Sequence, residues 1–436
     1  MWGLRGCRRA LGVAGGLAIV AGTLATAAPA GATSPVASLS TTSVTFPPQR
    51  VGTYGASKFV TLTNTGAVDL TISDIEITGA HPFDYLAGTD CFQVGPVLAP
   101  GNSCRVELAS LALGTGPRNA QLQFFDDAAD SPQTASLISS GIEGYLLADA
   151  FGDVANFGDA DWFGDAGNVH LSAPVVSLTT TSNGDGYWLL GRDGGIFSYV
   201  NARFFGSTGG LRLNQPVVGL ARTPAGDGYW LVASDGGIFA FGKARFFGSM
   251  GGKHLDKPVV AMASTPSGKG YWLVASDGGI FSFGDARFFG STGGIRLTKP
   301  INGMAARPDA KGYWLVASDG GIFAFGNAHF FGSTGGKPVG TIVGMAMTPN
   351  GGGYWLASAR GGVYPFGNAP NLGNALVTGV TNVVGIAPTS PPLPADLLSS
   401  SAATRAGFSV RGPLRQPLRD GDFRGLPGAS AHHGKS

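Results

Sequence analysis

The sequence is dominated by a segment that recurs along most of its length. Tryptophans of a Gly-Tyr-Trp-Leu motif mark the copies, at Trp188, Trp230, Trp272, Trp314 and Trp355, with spacings of 42, 42, 42 and 41 residues. A fixed period of this size is typical of propellers and solenoids, in which each copy is one small unit that packs on the next. Two architectures have to be compared, a closed ring of sheets and an open stack of hairpins.

Each copy contains four candidate β-strands separated by turn-forming residues. Within 258–291 the candidates are "PVVAMAST", "GYWLVAS", "GIFSFG" and "ARFFGS", and Pro-Ser-Gly, Asp-Gly-Gly and Gly-Asp lie between them. Such residues favour tight turns because glycine accepts positive φ and aspartate binds its own backbone. Four short antiparallel strands per copy indicate the blade of a β-propeller.

The repeat is incomplete at its two ends in complementary ways. "GYLLADAFGDVANFGDADWFGD", from Gly144, copies the last three strand candidates without a first, and "VVGIAPT", from Val383, copies a first strand alone. Residues 144–389 are therefore predicted to form a six-bladed β-propeller closed by pairing of its N- and C-terminal strands, which leaves no open edge. The five continuous blades are expected to start near Val175, Val217, Val259, Ile301 and Ile342. The open stack predicts no such pairing.

These copies are similar to the "GYWLVASDGGIFAFG" repeats of secreted actinobacterial proteins, over residues 144–389. That resemblance implies an extracellular location more than an activity.

Residues 36–143 show a different pattern, with alternating segments cut by turns. In "VTLTNTG", Val60 and Leu62 point to one side while Thr61 and Thr63 point to the other, as in strands with one buried face. Several such strands in roughly 100 residues predict an immunoglobulin-like β-sandwich. With "LTNTG" and "LAPGNSC", the segment resembles the choice-of-anchor D or Hydin-type domain, which implies an extracytoplasmic spacer or adhesive module without catalysis.

The chain begins with a predicted export signal over residues 1–32. Arg5, Arg8 and Arg9 precede the apolar run "ALGVAGGLAIVAGTLA", and Ala30-Gly31-Ala32 offers a cleavage site. The Arg8-Arg9 pair leaves twin-arginine export open beside the general route. Removal of the signal leaves two cysteines, Cys91 and Cys104, which we expect to form a disulfide in an oxidising compartment. That bond also agrees with the resemblance.

Composition excludes several other classes. The formal net charge of +2 does not indicate a nucleic-acid partner, and no later apolar run is long enough to cross a membrane. Residues 390–436 are rich in Pro, Ser, Gly and Arg and are predicted to be a disordered tail. The basic excess of that tail leaves contact with an anionic wall polymer open. We expect a monomer without metal or cofactor.

Candidate binding residues lie in two sets of loops. One set precedes Gly-Gly in turns, where aspartate also has an obvious structural role, and comprises Asp193, Asp235, Asp277 and Asp319. The other is a basic position in the links between copies, at Arg212, His254 and Arg296, with His170 in the divergent first copy. Because strands alternate in direction, both sets are expected on one face, either as a binding surface or as a solvated rim of weak ion pairs.

Two other residue sets are explained more simply by the fold. The repeated Tyr-Trp pairs are expected to pack between neighbouring blades, since a sugar-binding role would need some of them at the surface. The acidic residues Asp149, Asp153, Asp159, Asp161 and Asp165 lie in the divergent first copy. Their spacing departs from that of a helix-loop-helix Ca²⁺ site. A looser Ca²⁺ site is the alternative, and divergence of a terminal repeat explains these residues more simply.

No familiar catalytic motif occurs in the sequence. The predicted function is therefore a noncatalytic secreted or cell-surface binding or adhesion protein, with the propeller as interaction platform and the sandwich as spacer. The expected partner is an extracellular protein or a cell-wall carbohydrate. A lectin-like propeller with repeated sugar sites and a polysaccharide hydrolase or lyase are the alternatives, because a fold alone does not define a function.

Overall fold

The computed structural model describes residues 34–92, 95–376, 380–393 and 408–409. Within them the protein is all-β, with one short 3-10 helix at Pro82–Asp84. The predicted export signal lies outside the described residues, and so does most of the predicted tail. No helix in the described ranges is long and apolar enough to cross a membrane.

The strands of the N-terminal unit are short and irregularly spaced. They are β1 (Ala37–Leu39), β2 (Ser43–Thr45), β3 (Gln49–Arg50), β4 (Lys58–Asn64), β5 (Leu70–Thr78), β6 (Tyr85–Thr89), β7 (Val97–Leu98), β8 (Ser103–Ser110), β9 (Gly116–Pro117), β10 (Ala120–Asp126), β11 (Gln133–Ile138) and β12 (Ser140–Ile142).

These strands form two main sheets around one apolar core. One sheet has the order β1-β4-β8-β6 and the other β2-β11-β10-β5, with β7 paired to β5. Val60 and Leu62 are buried in the core, as the alternation in the sequence predicts. The predicted disulfide joins Cys91 to Cys104 on β8. A small third sheet, β3-β12-β9, leads toward the repeats.

The strands of the repeated part follow one pattern, a six-residue strand, a second six-residue strand and a five-residue strand. They are β13 (Gly144–Asp149), β14 (Val154–Gly158), β15 (Val175–Thr180), β16 (Gly186–Gly191), β17 (Ile196–Val200), β18 (Val217–Arg222), β19 (Gly228–Ala233), β20 (Ile238–Gly242), β21 (Val259–Ser264), β22 (Gly270–Ala275), β23 (Ile280–Gly284), β24 (Ile301–Ala306), β25 (Gly312–Ala317), β26 (Ile322–Gly326), β27 (Ile342–Met347), β28 (Gly353–Ser358), β29 (Val363–Gly367) and β30 (Val383–Pro388).

In the described part of the chain these strands form six small sheets of three strands each. Five sheets are continuous in sequence, from β15-β16-β17 to β27-β28-β29. The sixth has the order β14-β13-β30, so that Tyr145 pairs with Pro388 and Leu147 with Ile386 across the two ends of the repeated part. The first strands also contact one another in succession, in the order β30, β15, β18, β21, β24, β27 and again β30.

The Tyr-Trp pairs pack between sheets, and this prediction is confirmed. All five repeated tryptophans and their tyrosines are buried. Trp188 and Leu190 of one sheet share an apolar cluster with Tyr229 and Leu231 of the next, whereas Trp230 packs toward the sheet that follows. Each sheet therefore buries both of its faces, which explains why the second strand of each copy is apolar throughout.

The prediction of a fourth strand in each copy is wrong, because "ARFFGS" and its equivalents form no strand in the described copies. Side chains satisfy their backbone groups instead. Trp188 Nε1 donates to the carbonyl of Arg203, and the Tyr229 hydroxyl of the next sheet accepts from the Phe205 N–H. The same hydroxyl donates to the carbonyl of Gly206, which has φ +131°. Backbone groups bonded in this way are not free to extend a ladder.

The N-terminal unit contacts the repeats through Arg50 on β3. The Arg50 side chain is 13% exposed, and its guanidinium lies 3.1 Å from Asp159, 2.9 Å from Asp161 and 2.6 Å from Asp185. Asp185 lies in the turn between β15 and β16, so the N-terminal unit sits against the edge where first and second strands are joined. The Asp-Gly-Gly turns, which join second and third strands, lie at the opposite edge.

Two parts of the predicted tail are described. The Leu393 N–H donates to the carbonyl of Pro349, and Leu393 is buried. Phe408–Ser409 forms a two-residue strand, β31, which pairs with Ile77 and Glu76 on β5. An edge strand offers free backbone groups to such a segment. The remainder of the predicted tail lies outside the described residues.

Candidate functional site

The candidate aspartates have the same local geometry in every copy. Oδ1 of each accepts a hydrogen bond of 2.9 Å from the N–H of the second glycine after it, as in the pair Asp235 and Gly237. The intervening glycine has positive φ, for example +76° at Gly236, which a residue with a side chain adopts only with strain. The structural role expected for these aspartates is therefore present at all four, Asp193, Asp235, Asp277 and Asp319.

The basic residues of the links lie beside these turns. The Ser234 N–H donates to the carbonyl of Pro216 in the preceding link, and the Val259 N–H donates to the carbonyl of Ser234 from the following link. One turn is thereby held between two links. Both candidate sets therefore lie on one face of the repeats, and we call it the loop face. Arg212, His254 and Arg296 are all exposed there.

The structure brings one candidate aspartate, Asp235, and one candidate basic residue, His254, into an open recess of about 340 Å³ on the loop face. Two consecutive links and the turn between them form its walls. The lining residues are Gln215, Ser234, Asp235, Lys253, His254, Leu255, Asp256, Lys257 and Pro258. We call this the loop-face recess. Asp235 and His254 are candidates from the sequence, whereas the other charged residues of the recess are found only in the structure.

The recess carries charges of both signs on exposed side chains. His254 Nε2 lies 3.7 Å from Asp256 Oδ1, and both side chains are 91% exposed. Within the described residues, the Asp235 hydrogen bond to the Gly237 N–H uses only Oδ1, which leaves Oδ2 for a ligand. Ammonium, imidazole and carboxylate groups in one open recess fit a polar ligand or a charged loop of a partner protein.

The charged residues of the recess that the sequence did not predict, such as Lys253, stand where the links differ from one another in sequence. In the two adjacent links the positions equivalent to Lys253 are Leu211 and Ile295, which are 63% and 62% exposed, whereas Lys337 takes this position one link further on. The link 251–258 is "GGKHLDKP", whereas its counterparts are "GGLRLNQP" and "GGIRLTKP". This recess is therefore chemically distinct from equivalent places in neighbouring copies.

The acidic residues of the first copy have structural roles. Asp149 Oδ1 accepts from the N–H groups of Phe151 and Asp153 and closes a turn. Asp159 and Asp161 bind Arg50. Another cluster, Asp90 with Cys91 and Cys104, has the spacing of metal ligands, but its cysteines are joined in the disulfide and offer no thiolate.

Comparisons with known proteins assign no family. No family model matches the chain, and no curated protein matches it. Among solved structures, a protein of unknown function from Bacteroides thetaiotaomicron aligns at 11% identity and a TM-score of 0.35, covering 77% of this chain and 98% of that one. The Cps50 (Swd1) β-propeller domain from Myceliophteria thermophila aligns at 9% identity and a TM-score of 0.33, covering 49% of this chain and 71% of that one.

A third solved structure, the VesB protease of Vibrio cholerae, aligns at 20% identity and a TM-score of 0.21 over 25% of this chain. The aligned part spans about a third of that protease, 32% of its chain. Similarities at this level carry no functional argument. The class that the structure itself defines is an all-β protein, with repeated three-stranded sheets that present a charged recess on one face.

Proposed function

We propose that residues 144–389 form a six-bladed β-propeller closed by its own chain ends, and that residues 36–143 form an immunoglobulin-like sandwich of the choice-of-anchor D type. The pairing of β13 with β30 supports the first part, together with the succession of first-strand contacts that returns to β30. Two sheets packed around one core support the second.

The function proposed is that of a noncatalytic, secreted or cell-surface binding protein, with the propeller as platform and the sandwich as spacer. The observation that carries it is the position of the N-terminal unit. Arg50 attaches that unit to Asp185, at the edge opposite the Asp-Gly-Gly turns, which leaves the loop-face recess open. A spacer attached to one face and a charged recess on the other fit a protein that presents a ligand site away from its point of attachment.

Exposure of the charged groups supports binding over catalysis. Catalytic acids and bases usually lie in clefts that remove them from water and so adjust their proton affinity. His254 and Asp256 are 91% exposed, which suits reversible ion pairing with a partner. Among the described histidines, His81 lies in the N-terminal unit, while His170, His254 and His329 lie in separate copies of the repeat.

The binding test uses the mature chain from Thr33, screened by surface plasmon resonance against glycans, wall polymers and culture-medium proteins. The first variant is K253Q/H254Q/K257Q, which removes the positive charge of the recess. The second is D235N, in which the amide oxygen still accepts from the Gly237 N–H while the charge is lost. We expect either variant to weaken the affinity for the ligand found by about tenfold, which corresponds to about 1.4 kcal/mol of binding free energy.

The matched control is R212Q/R296Q, which changes equivalent positions in neighbouring copies and should leave binding within about twofold. A ligand whose affinity is the same for all variants would place its site elsewhere and refute the recess. Turnover of a polysaccharide by the purified chain would refute the noncatalytic assignment.

Export is tested separately. The disulfide is compatible with an oxidising compartment. Fractionation of a bacterial host that expresses the full chain should recover the protein outside the cytoplasm with an N-terminus at Thr33. Recovery in the cytoplasm with Met1 intact contradicts this proposal.

A further inference from the structure

Four consecutive copies expose a phenylalanine at the same position. Phe204, Phe246, Phe288 and Phe330 are 55%, 61%, 60% and 54% exposed. Each directly follows an exposed basic residue, in the pairs Arg203–Phe204, Arg245–Phe246, Arg287–Phe288 and His329–Phe330. We call these four pairs the basic-aromatic belt. A single exposed apolar side chain needs no functional explanation, but the same ring beside a basic residue in four copies does.

The fold uses the backbone of these pairs and not the exposed ring. Trp230 Nε1 donates to the carbonyl of Arg245 at 2.7 Å, and the Phe247 N–H donates to the Tyr271 hydroxyl at 3.1 Å. Phe247 packs against Trp230 and Tyr271, whereas the ring of Phe246 between these anchors stays in solvent. An exposed ring gains little burial energy, so stability does not account for its presence in four copies.

The belt ends where the N-terminal unit is attached. In the first copy Asp161 and Trp162 take the place of the pair, and Asp161 binds Arg50. In the last copy Pro370 and Asn371 take that place. The basic-aromatic pairs are therefore kept in the four copies between the two chain ends, and the basic residue is absent from the copy that contacts Arg50.

The belt is separate from the loop-face recess. The segment that carries Phe246 leaves β20 at the edge where first and second strands are joined. There the Lys243 N–H donates to the carbonyl of Asp227, in the turn between β18 and β19. The segment reaches the opposite edge where the Met250 N–H donates to the carbonyl of Gly236. The pair lies near the beginning of this path, whereas the recess lies at its end.

We propose that the basic-aromatic belt binds an acidic polysaccharide, a ligand class beyond the loop-face function. A guanidinium pairs with a carboxylate through two parallel hydrogen bonds, and an exposed ring covers the apolar face of a sugar. Equal sites on successive sheets match a polymer with a repeating unit, since linked weak contacts gain affinity together. The proposal rests on the propeller arrangement and does not depend on the recess.

Two other partners fit the belt less well. An acidic peptide supplies the carboxylates but has no flat apolar face to stack on every phenylalanine. An anionic membrane is a flat surface, and the pairs belong to successive sheets whose outer strands point in different directions around the ring. A flexible chain of charged sugars can follow them all.

The test measures binding of the mature chain to polygalacturonate, alginate and hyaluronate by biolayer interferometry. Fully methyl-esterified polygalacturonate is the uncharged counterpart. We expect binding to at least one acidic polymer, weakening with salt, and at least about tenfold weaker binding to the ester than to polygalacturonate if polygalacturonate is that polymer. Variant F204S/F246S/F288S/F330S should lose about a hundredfold in affinity, and R203Q/R245Q/R287Q a comparable amount.

The matched control is L211S/I295S, which removes similarly exposed apolar side chains from the loop face and should bind as the original chain does. Circular dichroism and the urea midpoint establish that every variant is folded. Binding to poly-L-glutamate or to phosphatidylglycerol vesicles as strong as to the acidic sugars overturns the proposal, and so does binding to none of the three polymers.

Variant K253Q/H254Q/K257Q separates this proposal from the recess. If it abolishes polysaccharide binding while the phenylalanine variant retains it, the belt is refuted and the recess stands. The reverse pattern supports the belt.

Discussion

Arg50 Nη1 of the N-terminal unit lies 2.6 Å from Asp185 Oδ1 in the repeated part, across 135 positions of sequence. The same guanidinium contacts Asp159 and Asp161, and its Nη1 also donates to the carbonyl of Asn183. One nearly buried cation is thereby matched to three carboxylates. Charge-assisted hydrogen bonds of this kind are stronger than neutral ones and fix geometry, so Arg50 sets how the unit is placed on the repeats.

Replacing Arg50 by glutamine should loosen this attachment. The three carboxylates then lose their cation and repel one another, at a cost of about 2 kcal/mol, because they are partly solvated. We expect faster cleavage between the units in limited proteolysis and a larger radius of gyration in solution scattering. Variant R105Q, which removes the more exposed ion pair with Asp90, is the control and should match the original chain. Equal behaviour of the two variants contradicts the anchoring role.

Removal of the Tyr229 hydroxyl should destabilise the segment that follows the third strand of the preceding sheet, because this hydroxyl binds its backbone. In Tyr229→Phe, the Phe205 N–H and the Gly206 carbonyl both lose their partner. We expect the free energy of unfolding in urea to fall by about 1–3 kcal/mol. Tyr364→Phe is the control, because the hydroxyl of Tyr364 makes no hydrogen bond to the described part of the chain. Equal stability of the two variants would show that the hydroxyl is dispensable.

The stability of the protein should fall as pH rises toward neutrality because of Glu143. Burial raises the pKa of its carboxyl from 4.5 to about 7, and Oε2 has no hydrogen-bond partner among the described residues. Between these values the folded chain retains a proton that the unfolded chain has released. The contribution is therefore full below about pH 4.5 and is lost as pH rises through about 7, on the order of 3 kcal/mol in all.

Urea unfolding at pH 5 and pH 8 measures this effect. Glu143→Gln should reduce the difference between the two pH values, while Glu107→Gln should keep it. Burial also raises the pKa of Asp126 and Asp149, so a smaller difference of the same sign remains. An unchanged pH dependence in the Glu143 variant would refute the assignment to this carboxyl.

Reduction of the disulfide should destabilise the N-terminal unit alone. Cys91 and Cys104 are 13 positions apart, and a loop of this length contributes about 3 kcal/mol in the chain-entropy model. We expect dithiothreitol to lower the urea midpoint of the N-terminal unit and to leave the midpoint of the repeats unchanged, if the two units unfold separately. A variant with serine at both positions should match the reduced protein. A shift of both transitions by equal amounts would contradict independent unfolding.

Periodicity in the sequence predicted much of the repeated part because the same contacts recur. The alternation of Trp230 and Tyr229 between two neighbours is a local property of a strand, and the disulfide follows from the cysteine count. The fourth strand was predicted wrongly, since its apolar pattern does not show that the Tyr229 hydroxyl of the next sheet binds its backbone. Arg50 was missed because its partners are far away in sequence.

The periodicity also predicted part of the candidate site. Asp235 and His254 stand at repeated positions, so their common face followed from the direction of the strands. Asp256 has no counterpart in the other links, and Lys253 and Lys257 recur only once each, as Lys337 and Lys299, so the period gives little information about them. The exposed rings were missed because "FF" reads as core. Only the structure shows that Phe246 faces solvent while Phe247 packs inward.

The sheet β14-β13-β30 has a consequence for the order of events in biogenesis. Strand β30 (Val383–Pro388) is among the last parts of the repeats to be synthesised, whereas its partner β13 (Gly144–Asp149) is among the first. Until the end of the chain has emerged, Gly144–Asp149 lacks this neighbour and presents a free backbone edge. A chain that terminates before Val383 therefore cannot pair Gly144–Asp149 with its last partner, and it keeps an unpaired edge to which other chains can add.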